Sequence, residues 1–172
     1  MKIFVTLGFE NFSFDRLIRA IDDGVGDRRI SGDILIQTGR SLYPVRFCET
    51  KRFMRFDEIM SCFKNADIVV SHAGVGTTLL CLGLGKIPVI FPRQARYREH
   101  VDDHQIQFAQ VLEKRKKVLV AYDEDELLAK INGYGPLVEK LLVRGADAPS
   151  SSLMIFLEEF LGGVPIQKEI AP

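Results

Sequence analysis

Tryptophan is absent from the chain, cysteine occurs only three times, and neither sign of charge exceeds the other. Lysine plus arginine number 23 and aspartate plus glutamate number 23, so no net field gathers nucleic acid or an anionic membrane, and nucleic-acid binding is not expected. Cys48, Cys62 and Cys81 are odd in number, far apart and set among apolar residues. They give neither a disulfide framework nor a zinc spacing, and read as reduced thiols of a cytoplasmic protein. No apolar run reaches the roughly 18 residues that cross a bilayer. Met1-Lys2-Ile3-Phe4-Val5 enters a strand directly, without the basic and apolar regions of a signal peptide. The expected location is therefore cytoplasmic, with any membrane association peripheral and made through a partner.

What is present is an ordinary globular composition, 47% hydrophobic and 27% charged over 172 residues, enough chain for one sizeable core. Short apolar strands alternate with amphipathic helices. Strands are predicted at 3–7, 33–37, 45–48, 68–70, 89–91 and 118–120. Helices are predicted over 14–23, with Ser13 as N-cap, and over 56–65, 105–114, 125–131, 136–143 and 152–161. This alternation predicts an α/β fold, a doubly wound parallel sheet, with ligands beyond the carboxyl ends of the strands. Gly8, Thr38-Gly39, the segment from His72 to Thr78 and the loop after Phe91 all fall at that edge. Residues 1–145 read as the binding domain, and 146–172 as a linker, an apolar C-terminal helix and a tail able to dock on a partner.

The stretch from Ala66 to Gln105 carries the chemical message. A buried strand, Ile68-Val69-Val70, ends at His72, and His72-Ala73-Gly74-Val75-Gly76-Thr77-Thr78 follows. Two glycines there let the backbone approach a ligand, and two hydroxyls stand where a helix begins. Unpaired N–H groups and the positive end of the helix dipole suit a phosphate at that point without a metal ion. Lys86-Ile87-Pro88 stops the helix, and Val89-Ile90-Phe91 completes a crossover unit. Arg93, Arg96 and Arg98 lie between that strand and Asp103-His104-Gln105. Three guanidinium groups suit a carboxylate on a ligand, such as that of a uronic acid; the other reading has them solvated or paired with Glu99 and Asp102 at the surface.

The sequence of H-A-G-x-G-T-x-L, G-K-x-P and D-H-Q resembles the glycosyltransferase family 28 C-terminal domain, including the small catalytic subunits of two-part transferases. The resemblance runs from Met1 to about Tyr122. It implies a Rossmann-like, single donor-binding half of the glycosyltransferase B fold. The implied activity is a catalytic subunit of an inverting enzyme that moves a sugar from a UDP-sugar to a lipid-linked saccharide. His72, Gly74, Gly76, Thr77, Thr78 and Gly8 would hold the donor pyrophosphate, Asp103, His104, Gln105 and Arg93 would meet the donor sugar, and Thr38 and Gly39 would line the rest of the cleft. No cofactor and no metal are implied. The catalytic base and the acceptor site would lie on a membrane-associated partner subunit. Many relatives place a ribose-binding glutamate eight residues after the histidine, where this chain has Leu80. That difference leaves a second reading, a non-catalytic nucleotide-sugar-binding module that regulates a partner transferase.

Overall fold

The computed structural model describes residues 1–143; the predicted helix over 152–161 and the linker before it lie outside the described residues. Six strands form one parallel sheet in the order β3-β2-β1-β4-β5-β6. They are β1 (Lys2–Thr6), β2 (Asp33–Gln37), β3 (Glu49–Lys51), β4 (Ile68–Ser71), β5 (Val89–Ile90) and β6 (Leu119–Val120). Between and after them come α1 (Asp15–Gly26), α2 (Phe56–Asn65), α3 (Val75–Gly83), α4 (His104–Lys114), α5 (Glu124–Asn132) and α6 (Tyr134–Val143), with a 3₁₀ turn at Ala95–Tyr97.

Period-two alternation within the strands divides the core. Ile3 and Val5 of β1, Ile68 and Val70 of β4, Val89 and Leu119 face α1 and α5 through Leu17, Ile18, Ile21, Leu127 and Ile131. The residues between them face the other way. Phe4 and Val69 pack on Ile59 and Phe63 of α2 and Cys81 of α3, with Phe4 and Phe63 edge to face at 5.3 Å. Ile90 and Val120 pack on Phe108, Ala109 and Leu112 of α4. Both faces are covered, as an all-parallel sheet requires.

This is the doubly wound parallel sheet that the alternation predicts, with two local differences. The third strand was expected at Val45–Cys48, but pairing begins at Glu49. The N–H groups of Arg46 and Phe47 donate instead to the two carboxylate oxygens of Asp22, at 2.9 and 2.8 Å. Asp22 is fully buried on α1, and a buried carboxylate left without donors is costly, so it takes the N–H groups that a ladder would have used. The short edge strand that remains is exposed throughout. Ser13 is likewise not the N-cap of α1. The cap residue is Phe14, without a side-chain cap of its own; its N–H donates to Ser41 Oγ at 2.7 Å, while Ser13 Oγ donates to Asp15 at 2.6 Å.

Candidate donor site at the switch point

β1 and β4 are neighbours, but their chains leave toward opposite faces of the sheet, so a crevice opens beyond their carboxyl ends. Gly8 follows β1 and His72 follows β4. His72 is 5% exposed, and its imidazole fits between two glycines. A β-carbon on Gly8 would stand 2.4 Å from His72 Cε1, and one on Gly74 would stand 2.1 Å from His72 Nε2. Gly8 also has φ +72°, where only glycine is unstrained. Both positions therefore need glycine, and the ring is fixed without a hydrogen bond to Nδ1, one of two buried side-chain nitrogens without a partner among the described residues. Burial, then the Arg93 guanidinium, pushes the His72 pKa down to about 3, against a backbone hydrogen bond to Thr6. The imidazole is neutral at physiological pH.

Immediately beside it, α3 begins at Val75 with Gly74 in extended conformation as N-cap (φ −75°, ψ 129°). Among the described residues no side chain caps this end, and no acid lies in its first turn. The first N–H groups and the dipole are therefore open to an anion. Thr77 is half-buried and its hydroxyl has no partner among the described residues, whereas Thr78 is fully buried and its Oγ1 donates to the Gly74 carbonyl at 2.9 Å. Gly76 is exposed, with nothing among the described residues within 4 Å of its β-position. Val75, Gly76 and Thr77 thus present backbone at an open helix start, while Thr78 closes the turn beneath.

The loop after β2 joins the same edge. A β-carbon on Gly39 (φ +56°) would lie 3.5 Å from the Gly8 carbonyl, which also accepts from Gln37 Nε2 at 3.5 Å. The Thr38 N–H donates to Lys51 and the Gly39 N–H to Arg52. On the far side, Asp103 Oδ1 accepts the Ala95 N–H at 2.8 Å, and Gln105 is buried with its Oε1 accepting the Arg93 N–H at 3.3 Å. His104 is exposed and its Nδ1 contacts Asp102.

Arg93 is engaged by the protein's own backbone. It is 1% exposed. Nη1 donates to the carbonyls of Phe12, Ser13 and Glu99, Nη2 donates to that of Leu7, all between 3.0 and 3.2 Å, and the cation lies over the Phe14 ring. These bonds tie the loop after β5 to the loop after β1 through both terminal nitrogens, while Nε is the other buried side-chain nitrogen without a partner among the described residues. Arg96 and Arg98 are exposed and line a separate cleft of about 610 Å³ with Arg16 and Tyr97, which does not include His72 or Thr77. Sequence reading also missed the pair that secures this loop. Arg16 Nε and Nη2 each donate at 2.8 Å to the buried Glu99 carboxylate; the two lie 83 residues apart, and no local pattern marks them.

A six-stranded parallel sheet of this order, with a glycine-walled crevice at its switch point, defines a Rossmann-like domain equivalent to one half of the glycosyltransferase B fold. The model of the glycosyltransferase family 28 C-terminal domain matches residues 2–132, and the chain belongs to that family. It is similar to the UDP-N-acetylglucosamine transferase subunit ALG13 of Yarrowia lipolytica (strain CLIB 122 / E 150), 34% identical over 71 residues that make up 41% of this chain and 34% of that protein. Among solved structures it resembles Acinetobacter baumannii MurG, with TM-score 0.58 and 14% identity over 91% of this chain and 49% of that one. It also resembles the glycosyltransferase SsfS6 of Streptomyces sp. SF2575, complexed with thymidine diphosphate, with TM-score 0.54 and 19% identity over 92% of this chain and 41% of that one. At such identities the likeness is one of fold. The chain spans about a third of that curated relative and less than half of each solved structure.

Proposed function

We propose that this glycosyltransferase-family chain is the catalytic, donor-binding subunit of an inverting enzyme that moves a sugar from a UDP-sugar to a lipid-linked saccharide. The reading is carried by one arrangement: a neutral, buried His72 clasped by Gly8 and Gly74 beside the uncapped, acid-free start of α3. Loss of a nucleoside diphosphate concentrates negative charge on the leaving phosphate. Open N–H groups at Val75, Gly76 and Thr77, the Thr77 hydroxyl and the imidazole are fixed in place to meet it, so no metal ion is required at the phosphates. The sugar would lie toward Asp103, His104 and Gln105, and Thr38 and Gly39 would border the cleft.

The acceptor and the catalytic base belong, on this reading, to a membrane-associated partner subunit that holds this chain at the cytoplasmic surface. That the Yarrowia relative is named as a subunit, and that this chain spans less than half of each solved relative, supports a second half. One observation favours the non-catalytic alternative. Leu80 packs against the apolar cluster of Phe4, Phe63 and Cys81, so the position offers nothing polar to a ribose.

Calorimetric titration with UDP tests the site. His72→Ala and Thr77→Val should each weaken binding by about 1–3 kcal/mol, the range for hydrogen bonds to charged groups. Unchanged affinity in both variants, with native circular dichroism, overturns the assignment. Transfer that appears only after co-expression with the partner supports the two-part enzyme, and robust transfer by the chain alone refutes it.

A further inference from the structure

Just before α4, three potential ligands leave one short loop and converge: His100, Asp102 and His104. We propose that they bind a divalent transition-type cation of the zinc class, which braces this loop. One ligand atom from each lies within 4.8 Å of the other two. The two Nδ1 atoms approach the same carboxylate oxygen, Asp102 Oδ1, His100 from 3.4 Å and His104 in direct contact. In a tetrahedral zinc site with bonds of about 2.0–2.1 Å, neighbouring ligand atoms stand about 3.3 Å apart. The His100 to Asp102 separation already has that value. His104 has to draw back to reach the same ligand spacing, and its side chain is 52% exposed.

Position and charge point the same way. The His100 side chain is 11% exposed and packed against Phe12 and His104, with ring centroids at 5.6 and 4.6 Å, so one ligand is oriented in advance. Among the described residues, the basic partners of Asp102 are these two imidazoles and no lysine or arginine. Two imidazoles and one carboxylate form a donor set that zinc, cobalt and nickel prefer over magnesium or calcium. Three protein ligands leave a coordination position open.

The consequence rests on the proposed function: Asp103 and Gln105, which are assigned to the sugar, belong to the braced segment. The site itself does not rest on that reading, and the experiment separates the two. Untagged, nucleotide-free full-length chain is titrated with Zn²⁺ by calorimetry and with Co²⁺ by visible absorption. One equivalent is expected to bind, with Co²⁺ d–d bands and no sulfur charge-transfer band. His104→Ala and Asp102→Asn, both at exposed positions, should weaken binding more than about tenfold, and His100→Ala should do the same if it folds. No measurable binding, unchanged affinity in His104→Ala and Asp102→Asn, or a thiolate spectrum assigning the metal to cysteine overturns the proposal. Because nucleotide is absent, failure here leaves the UDP reading intact, and failure of UDP to bind leaves this site intact.

Discussion

The imidazole of His72 occupies the space that a side chain on Gly74 would fill: a β-carbon there would stand 2.1 Å from Nε2. The residue that follows β4 and the N-cap of α3 are therefore one steric unit. Gly8 closes that unit from the neighbouring strand, so the turn after β1, the end of β4 and the start of α3 hold one another in register.

The glycines of this turn should separate by experiment. Gly74→Ala forces the ring or the backbone to move and should lower stability by about 1–3 kcal/mol, as overpacking does. Gly76 has open space around its β-position and sits inside α3, so Gly76→Ala should leave stability equal or raise it by about 0.5–1 kcal/mol through helix propensity. Its methyl would enter the space assigned to phosphate, so UDP affinity should nevertheless fall. Urea unfolding and calorimetry on both variants check this, and a stable Gly76→Ala with undiminished affinity would move the phosphate elsewhere.

Burial of His72 should appear as a pH dependence of stability. The group titrates near 6.5 when unfolded and about 3 when folded, so between those values the unfolded chain binds the extra proton. Stability then rises with pH across that window, is fully present above about 6.5, and is lost toward 3 by up to about 1.4 kcal/mol per pH unit. Between pH 7 and pH 5 the native chain should lose about 2 kcal/mol more than His72→Gln. Urea midpoints at the two pH values measure the difference, and equal losses would show that His72 is not buried neutral.

Thr77 and Thr78 are adjacent but should behave differently. Thr78→Val removes the Oγ1 bond to the Gly74 carbonyl and should lower stability by about 1 kcal/mol, with UDP affinity changed only as far as the turn loosens. Thr77→Val removes a hydroxyl without a partner among the described residues and should weaken UDP with little effect on folding. Thermal melts beside calorimetry distinguish them, and a reversed pattern would exchange their roles.

How much of this was legible in the sequence follows from the range of the interactions. β2 and α2 lie where the pattern puts them, and β4 and α3 come within a residue or two, because buried strands and amphipathic helices are written in local periodicity. The convergence of Gly8, Gly39 and the His72 turn follows from topology, which the strand and helix alternation also supplies. The steric need for glycine at 8 and 74 was not legible, since it depends on where the His72 ring goes. Nor was the use of the Arg46 and Phe47 N–H groups by Asp22, a buried acid more than 20 residues away. The arginines after β5 show the same limit: spacing puts three guanidinium groups near one loop, and only packing reveals that one of them is structural.

Arg93 supplies the last test. Its guanidinium meets four backbone carbonyls from the loops after β1 and β5, and burial lowers its pKa to about 10, leaving it cationic at neutral pH. A carboxylate on a donor sugar would compete with those acceptors at Nη1 and Nη2, and displacing them would leave the carbonyls of the buried residues Leu7 and Glu99 without this donor. Arg93→Gln should therefore lower stability by about 3 kcal/mol or more, since each orphaned carbonyl costs about 1–3 kcal/mol. Arg96→Gln and Arg98→Gln, at exposed positions, should stay within about 0.5 kcal/mol of the native chain. Among folded molecules, Arg93→Gln should leave the ratio of affinities for UDP-glucuronate and UDP-glucose unchanged. Urea unfolding and paired calorimetric titrations decide the matter. A stable Arg93→Gln that selectively loses UDP-glucuronate would restore the arginine to the donor site and reassign its carbonyl contacts as incidental.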